Sequence, residues 1–146
     1  MDTKITSSNE KSSLKLDFKD SKYATGRRKK SIAKVWLKKG SGIIHVNGKK
    51  MVDYFKKPNL QIAIFRPLNI VKRESEFDVR CTVKGGGLTG QAGAIILGIS
   101  RAILLFEPDL KSILKKEKLT TRDSRSVERK KPGRKKARKS FQFSKR

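Results

Sequence analysis

Acidic residues are scarce in this chain. Its 146 residues include 13 Asp or Glu against 38 Lys or Arg, a formal net charge of +25. Charge at that density repels itself in the free protein, so the working state is bound to a polyanion. Nucleic acid is the first candidate, with a chromatin-like protein acting non-specifically on DNA included, and an anionic membrane is the second. The membrane is the weaker of the two, because no apolar run reaching the ~18–20 residues needed to cross a bilayer is read from the sequence. Cysteine is nearly missing as well. Cys81 stands alone, which excludes an intrachain disulfide and a multi-cysteine zinc site and suits a reducing compartment. In its alternating context it reads as a small core residue. His45 is the only histidine and lies in a short apolar strand, where a satisfied structural role is the expectation. No Gly-x-x-x-x-Gly-Lys-Ser/Thr stretch occurs, and the acids are scattered. The expectation is no enzyme, no metal and no cofactor.

What is present is organised in three parts. The opening MDTKITSSNEKSSLKLDFKD lacks the apolar stretch of a secretory signal, and Asp2, Glu10, Asp17 and Asp20 are unlike an acid-poor transit peptide. Residues 1–22 are expected to be a mobile N-terminal extension. Residues 23–119 carry the periodicity of a folded α+β domain in two layers. SIAKVWLKKG reads as a strand with Ala33, Val35 and Leu37 on one face, and GIIHV as a second, the two forming a hairpin about Gly40-Ser41-Gly42. Asn47-Gly48 supplies another tight turn. MVDYFKK suggests a short helix ended by Pro58, and NLQIAIF another stopped before Pro67. EFDVRCTVKG alternates cleanly, with Phe77, Val79, Cys81 and Val83 facing a core and Asp78, Arg80, Thr82 and Lys84 facing water or a ligand. Gln91 to Phe106 is apolar nearly all round, the mark of a helix buried against a sheet. A further helix starts at Pro108-Asp109. Beyond Thr120 the periodicity fails, and residues 120–146 form an extended basic tail.

Gly85-Gly86-Gly87-Leu88-Thr89-Gly90 matches G-x-G-x-x-G between a strand and a helix. A dinucleotide site requires an acid at the end of a second parallel strand, whereas Asp109 opens another helix. The glycine turn can still present backbone N–H groups to a phosphate, including one in RNA. The basic clusters are the stronger signal: Arg27, Arg28, Lys29 and Lys30 beside a Gly26 that lets the chain bend before the first strand, Lys49-Lys50, Lys56-Lys57, Lys72-Arg73, and the tail. From Arg129 to Arg146 there are ten Lys or Arg in eighteen positions and no acid. Arg forks grip phosphate and stack on bases, and Lys acts as a point charge. Eighteen extended residues reach about 60 Å, at ~3.3–3.6 Å each, so the tail can enter a polyanionic interior closed to folded protein. Phe141 and Phe143 could stack there on bases or anchor on protein.

YATGRRKKSIAKVWL, IIHVNGKKMVDYF, VKGGGLTGQAGAIILGISRAIL and TRDSRSVERKKPGRKKARKSFQFSKR together resemble the bacterial-type small-subunit ribosomal protein nine family, from about Tyr23 to Arg146. The resemblance implies a two-layer α/β sandwich with a left-handed β-α-β crossover, an exception to the usual handedness, and a long disordered basic C-terminal tail. It further implies a structural constituent of the small ribosomal subunit in a bacterial cytoplasm, placed in the subunit head on 16S-type ribosomal RNA beside neighbouring head proteins. The tail then runs toward the decoding centre and the transfer RNA of the P site. The candidate ribosomal-RNA residues are Arg27, Arg28, Lys29, Lys30, Lys49, Lys50, Lys84, Gly85, Gly86 and Gly87 in the domain, and Arg122, Arg125, Arg129, Lys130, Lys131, Arg134, Lys135, Lys136, Arg138 and Lys139 in the tail. Lys145 and Arg146 match the terminal pair that approaches transfer RNA. The chain departs from the family pattern where Pro132 and Arg134 replace common apolar residues and where Ser140-Phe141 stand near a frequent proline.

Overall fold

The computed structural model describes residues 20–145; the expected N-terminal extension up to residue 19, and Arg146, lie outside them. The fold is mixed α+β. Five strands, β1 (Lys22–Arg28), β2 (Ser31–Lys39), β3 (Ile44–Val46), β4 (Lys49–Lys50) and β5 (Phe77–Lys84), form one sheet in the order β1-β2-β5-β3-β4. The helices are α1 (Met51–Tyr54), α2 (Pro58–Val71), α3 (Leu88–Phe106) and α4 (Lys111–Lys116), the last led in by a 3₁₀ turn at Pro108–Leu110. Period-two alternation explains the sheet. Ala33, Val35 and Leu37 of β2 are fully buried, as are Phe77, Val79 and Cys81 of β5. The antiparallel register sets Val35 opposite Cys81 and Leu37 opposite Val79, so the apolar rows of the two strands coincide. One face of the sheet is thereby committed to the core. Ile64 and Leu68 of α2 and Ala94, Ile95, Ile99, Ala102 and Ile103 of α3 close over it in a single cluster. Each large apolar side chain buried there contributes roughly 1.5–3 kcal/mol.

Several expectations change. Gly26 does not release the chain ahead of the first strand; it lies inside β1, which pairs with β2 through a two-residue turn at Lys29-Lys30. A Cβ at Gly26 would overlap the Ala94 carbonyl oxygen and lie 2.6 Å from the Gly98 nitrogen, so β1 and α3 meet backbone to backbone. The expected hairpin of β2 with β3 does not form. β5 inserts between them, antiparallel to β2 and parallel to β3, because β5 is the longer strand with a full apolar row to match β2. The Asn47-Gly48 turn does form, with φ of 51° and 80°, and joins β3 to β4. Pro58 begins α2 rather than merely ending the helix before it, and α2 runs through Pro67. Proline suits a first helical position. Inside the helix it is tolerated because Pro67 and Leu68 are buried against the core, where packing overrides the lost hydrogen bond. α3 is also longer than expected. Its 19 residues are apolar enough by length and composition to cross a membrane, although no such run was read from the sequence. More than half of it is buried, which is how a helix at the centre of a two-layer core behaves.

Candidate nucleic-acid interface

The topology gathers separate basic segments at one end of the sheet. β1 ends and β2 begins there, at Arg28 and Ser31. β5 ends beside them, with Lys84 paired to Ile32. The Ser31 hydroxyl donates to the Gly85 carbonyl at 2.9 Å, tying the Lys29-Lys30 turn to the glycine turn. Because β3 runs parallel to β5, the turn that follows it arrives at the same end. The Asn47 side chain donates to the Val83 carbonyl at 3.1 Å and accepts from the Val83 amide at 2.9 Å. The Tyr54 hydroxyl donates to Gln91 Oε1 at 2.8 Å, and Gln91 Nε2 donates to the Gly85 carbonyl at 3.2 Å. Arg27 to Lys30, Lys49-Lys50, Lys84 and Gly85 to Gly87 are therefore neighbours in space, as the sequence did not show. Gly85 and Gly86 have φ of 78° and 63°, a conformation that glycine adopts without strain. Gly87 precedes α3 with no side-chain cap, so its first N–H groups are open to an acceptor.

The root of the tail joins this end. Asp123 forms an ion pair with Arg28 at 3.0 Å and a forked one with Arg125, Nη2 at 2.8 Å. The Arg125 side chain and backbone N–H, with Arg28 behind them, hold the Asp123 carboxyl far below the usual carboxylate range. Arg28 in turn lies along α3 where Gly93 leaves room for it. Between these groups opens a groove of about 740 Å³ with an apolar floor that includes Ile96 and Leu97. Arg27, Arg28, Arg66, Arg122 and Arg125 line it. Arg66, which no sequence pattern singled out, also pairs with Glu117 at 2.8 Å. A lone arginine inside a helix carries no signal until the fold sets it beside others.

Other candidates separate from this group. Lys72-Arg73 lies at the opposite end, next to the start of β5. Arg73 pairs with Glu76 at 2.6 Å and Glu107 at 3.2 Å, and the Glu76 hydrogen bond with both carboxylates raises its pKa. It is a clasp between α2, β5 and the end of α3. In the tail, no helix or strand occurs among the described residues after Lys116. Glu128 holds Lys131 at 3.3 Å and Arg138 at 3.0 Å, Lys135 donates its backbone N–H to the Lys139 carbonyl at 2.8 Å, and the Lys135 ammonium sits 5.7 Å from the Phe141 ring centroid. Arg129, Lys130, Arg134, Lys136 and Lys139 extend along the same exposed segment, and Lys145 is its last described residue. Cys81 is fully buried, and burial pushes its thiol up beyond any reactive range. His45 is buried as expected, but neither ring nitrogen has a hydrogen-bond partner in the protein, so it is not the satisfied residue anticipated.

Among the described residues no group of His, Cys, Asp and Glu is arranged to hold a metal ion. The arrangement offers dense guanidinium and ammonium charge and open amides, which is chemistry for gripping phosphate. A family model described as Ribosomal protein S9/S16 matches residues 26–146, which span both the domain end and the tail. That family is a structural, non-enzymatic class whose members bind ribosomal RNA in the small subunit. The chain belongs to the Ribosomal protein S9/S16 family.

Proposed function

We propose that the chain joins an RNA-binding domain over residues 23–119 to a tail over 120–146, and that its basic end grips 16S-type ribosomal RNA in the head of the small subunit. The convergence of the Lys29-Lys30, Asn47-Gly48 and Gly85–Gly87 turns with Arg122 and Arg125 is the observation that carries this reading. Four chain segments that are distant in sequence share one electropositive end, as a polyphosphate ligand requires. The parallel β3–β5 connection through α1 and α2 takes the left-handed course that the family resemblance implies. The tail, without regular structure and rooted at Asp123, stays disordered until it enters RNA, beside neighbouring head proteins of a bacterial cytoplasmic ribosome.

At the far end, Lys145 and Arg146 contact P-site transfer RNA through phosphate. Deleting both is expected to weaken transfer RNA binding to purified small subunits while leaving incorporation of the protein intact. Filter binding of P-site transfer RNA to subunits carrying the truncated chain measures the first, and sedimentation of those subunits the second. Unchanged transfer RNA affinity in subunits that contain the truncated protein would sink this role for the terminal pair.

A further inference from the structure

The outer face of the sheet turns away from the core, and it is not built like an ordinary solvated surface. The register sets Tyr23 opposite Trp36 and Trp36 opposite Arg80, a row across three strands. The Tyr23 and Trp36 ring centroids are 5.3 Å apart with planes inclined at 43°. The Arg80 guanidinium carbon lies 6.0 Å from the Trp36 centroid. Tyr23 remains 45 % exposed and Trp36 is half-buried on the face that alternates with the core-facing Val35 and Leu37. Two residues along, Lys34 continues the face, and two further along, Ile32 and Lys84 bring it to the basic end described above. The distance from Trp36 to Ile32 is about 13 Å of strand, at ~3.2–3.4 Å per residue. Asp78, an acid on this face, is committed to the Ser41 and Ile43 amides at 2.8 and 3.0 Å.

We propose that Tyr23, Trp36 and Arg80 form a stacking platform for an unpaired base of single-stranded RNA, with Lys34 and Lys84 taking its flanking phosphates. This rests on the reading that the chain binds RNA, and adds to phosphate gripping a site that engages bases. Aromatic rings and guanidinium planes stack on the π-face that every base presents, largely without regard to sequence. An acidic protein segment would use the cations but has no need of the exposed planes, so RNA is the occupant that the whole row fits. Continuity with the basic end lets one strand of RNA cross from the glycine turn onto the platform.

Trp36 is the only tryptophan in the chain, so its fluorescence reports this site directly. The full chain is titrated at fixed salt with an adenylate RNA decamer and with an abasic decamer of equal charge. The adenylate decamer is expected to quench Trp36, and the abasic one to bind without quenching. Tyr23→Ala should weaken the adenylate decamer by roughly 5- to 150-fold, the range for loss of one base–aromatic stack, and leave the abasic affinity unchanged. Arg80→Lys, which keeps the charge and loses the plane, should act in the same direction, and circular dichroism verifies that both variants are folded. Equal quenching by both decamers, or equal weakening of both in folded variants, overturns the platform while leaving RNA binding in place. Failure of both decamers to bind at low salt would overturn the RNA reading itself. A photoreactive residue substituted at Ile32 in assembled subunits should join to RNA; joining to a protein neighbour instead would also overturn the proposal.

Discussion

Gly26 decides how closely sheet and helix can approach. Its missing Cβ leaves room for the Ala94 carbonyl and the Gly98 amide, both backbone atoms of α3 that cannot rotate away. Gly26→Ala must therefore push α3 off β1 or bend the strand, an overpacking that costs about 3 kcal/mol or more. Urea unfolding should show the midpoint falling accordingly, or the variant failing to fold. His45 makes the opposite case. Both of its ring nitrogens are buried without partners, and unpaired buried polar atoms cost on the order of 1–3 kcal/mol each when an apolar group could stand there. His45→Leu, of similar volume, is expected to raise stability by about 1 kcal/mol, read as a higher urea midpoint at neutral pH. A fall in the midpoint would mean that the imidazole contributes packing that leucine cannot reproduce.

Asp78 fastens the connection from β2 to β3. Burial opposes its ionisation, but the Ile43 and Ser41 amides and the Ser41 hydroxyl together outweigh that and hold its pKa below the ordinary value. A carboxylate depressed in the folded state gives stability that is fully present above its unfolded pKa, near 3.9, and that is lost as pH falls through the folded value. Wild-type stability should thus decline below about pH 4. Asp78→Asn should lose about 1.5 kcal/mol at pH 7, the lower end for one net hydrogen bond to a charged group, and show a shallower acid decline. Parallel melts of the two proteins from pH 3 to 7 check this. The strand alternation of β2 and β5 and the apolar α3 were legible in the sequence because each is local. The insertion of β5 between β2 and β3 was not, since pairing between residues as far apart in sequence as Ile32 and Lys84 leaves no local mark. Pro67 misled for a related reason: propensity argues for a break, and only the burial of Pro67 and Leu68 against the core shows why the helix continues. The candidate site was readable as a set of residues but not as a place. Arg27 to Lys30 and Gly85 to Gly87 become one surface only through the Ser31–Gly85 hydrogen bond and the parallel β3–β5 pair.

Over the whole molecule, the charge divides between a folded end and a tail, and the two should contribute separately to RNA affinity. Each phosphate neutralised releases counterions and adds a slope of roughly −0.7 to −0.9 to log K against log salt. Residues 129–146 supply ten cations, although Lys131 and Arg138 already share Glu128. Replacing all ten by glutamine should flatten the slope by up to ~7–9, and by somewhat less to the extent that Glu128 competes with phosphate. Replacing Arg27, Arg28, Lys29 and Lys30 should flatten it by up to ~3–4. Arg28 is the member of that group drawn into an ion pair, with Asp123, so Arg28→Gln alone should change the slope less than Lys29→Gln or Lys30→Gln. Titrations of ribosomal RNA fragments at several salt concentrations distinguish the cases. Additive flattening by the two sets would establish two independent phosphate-binding regions joined at Asp123. A flattening much smaller than additive would mean that the folded end and the tail compete for the same phosphates, and the tail would then lie back across the groove rather than lead away from it.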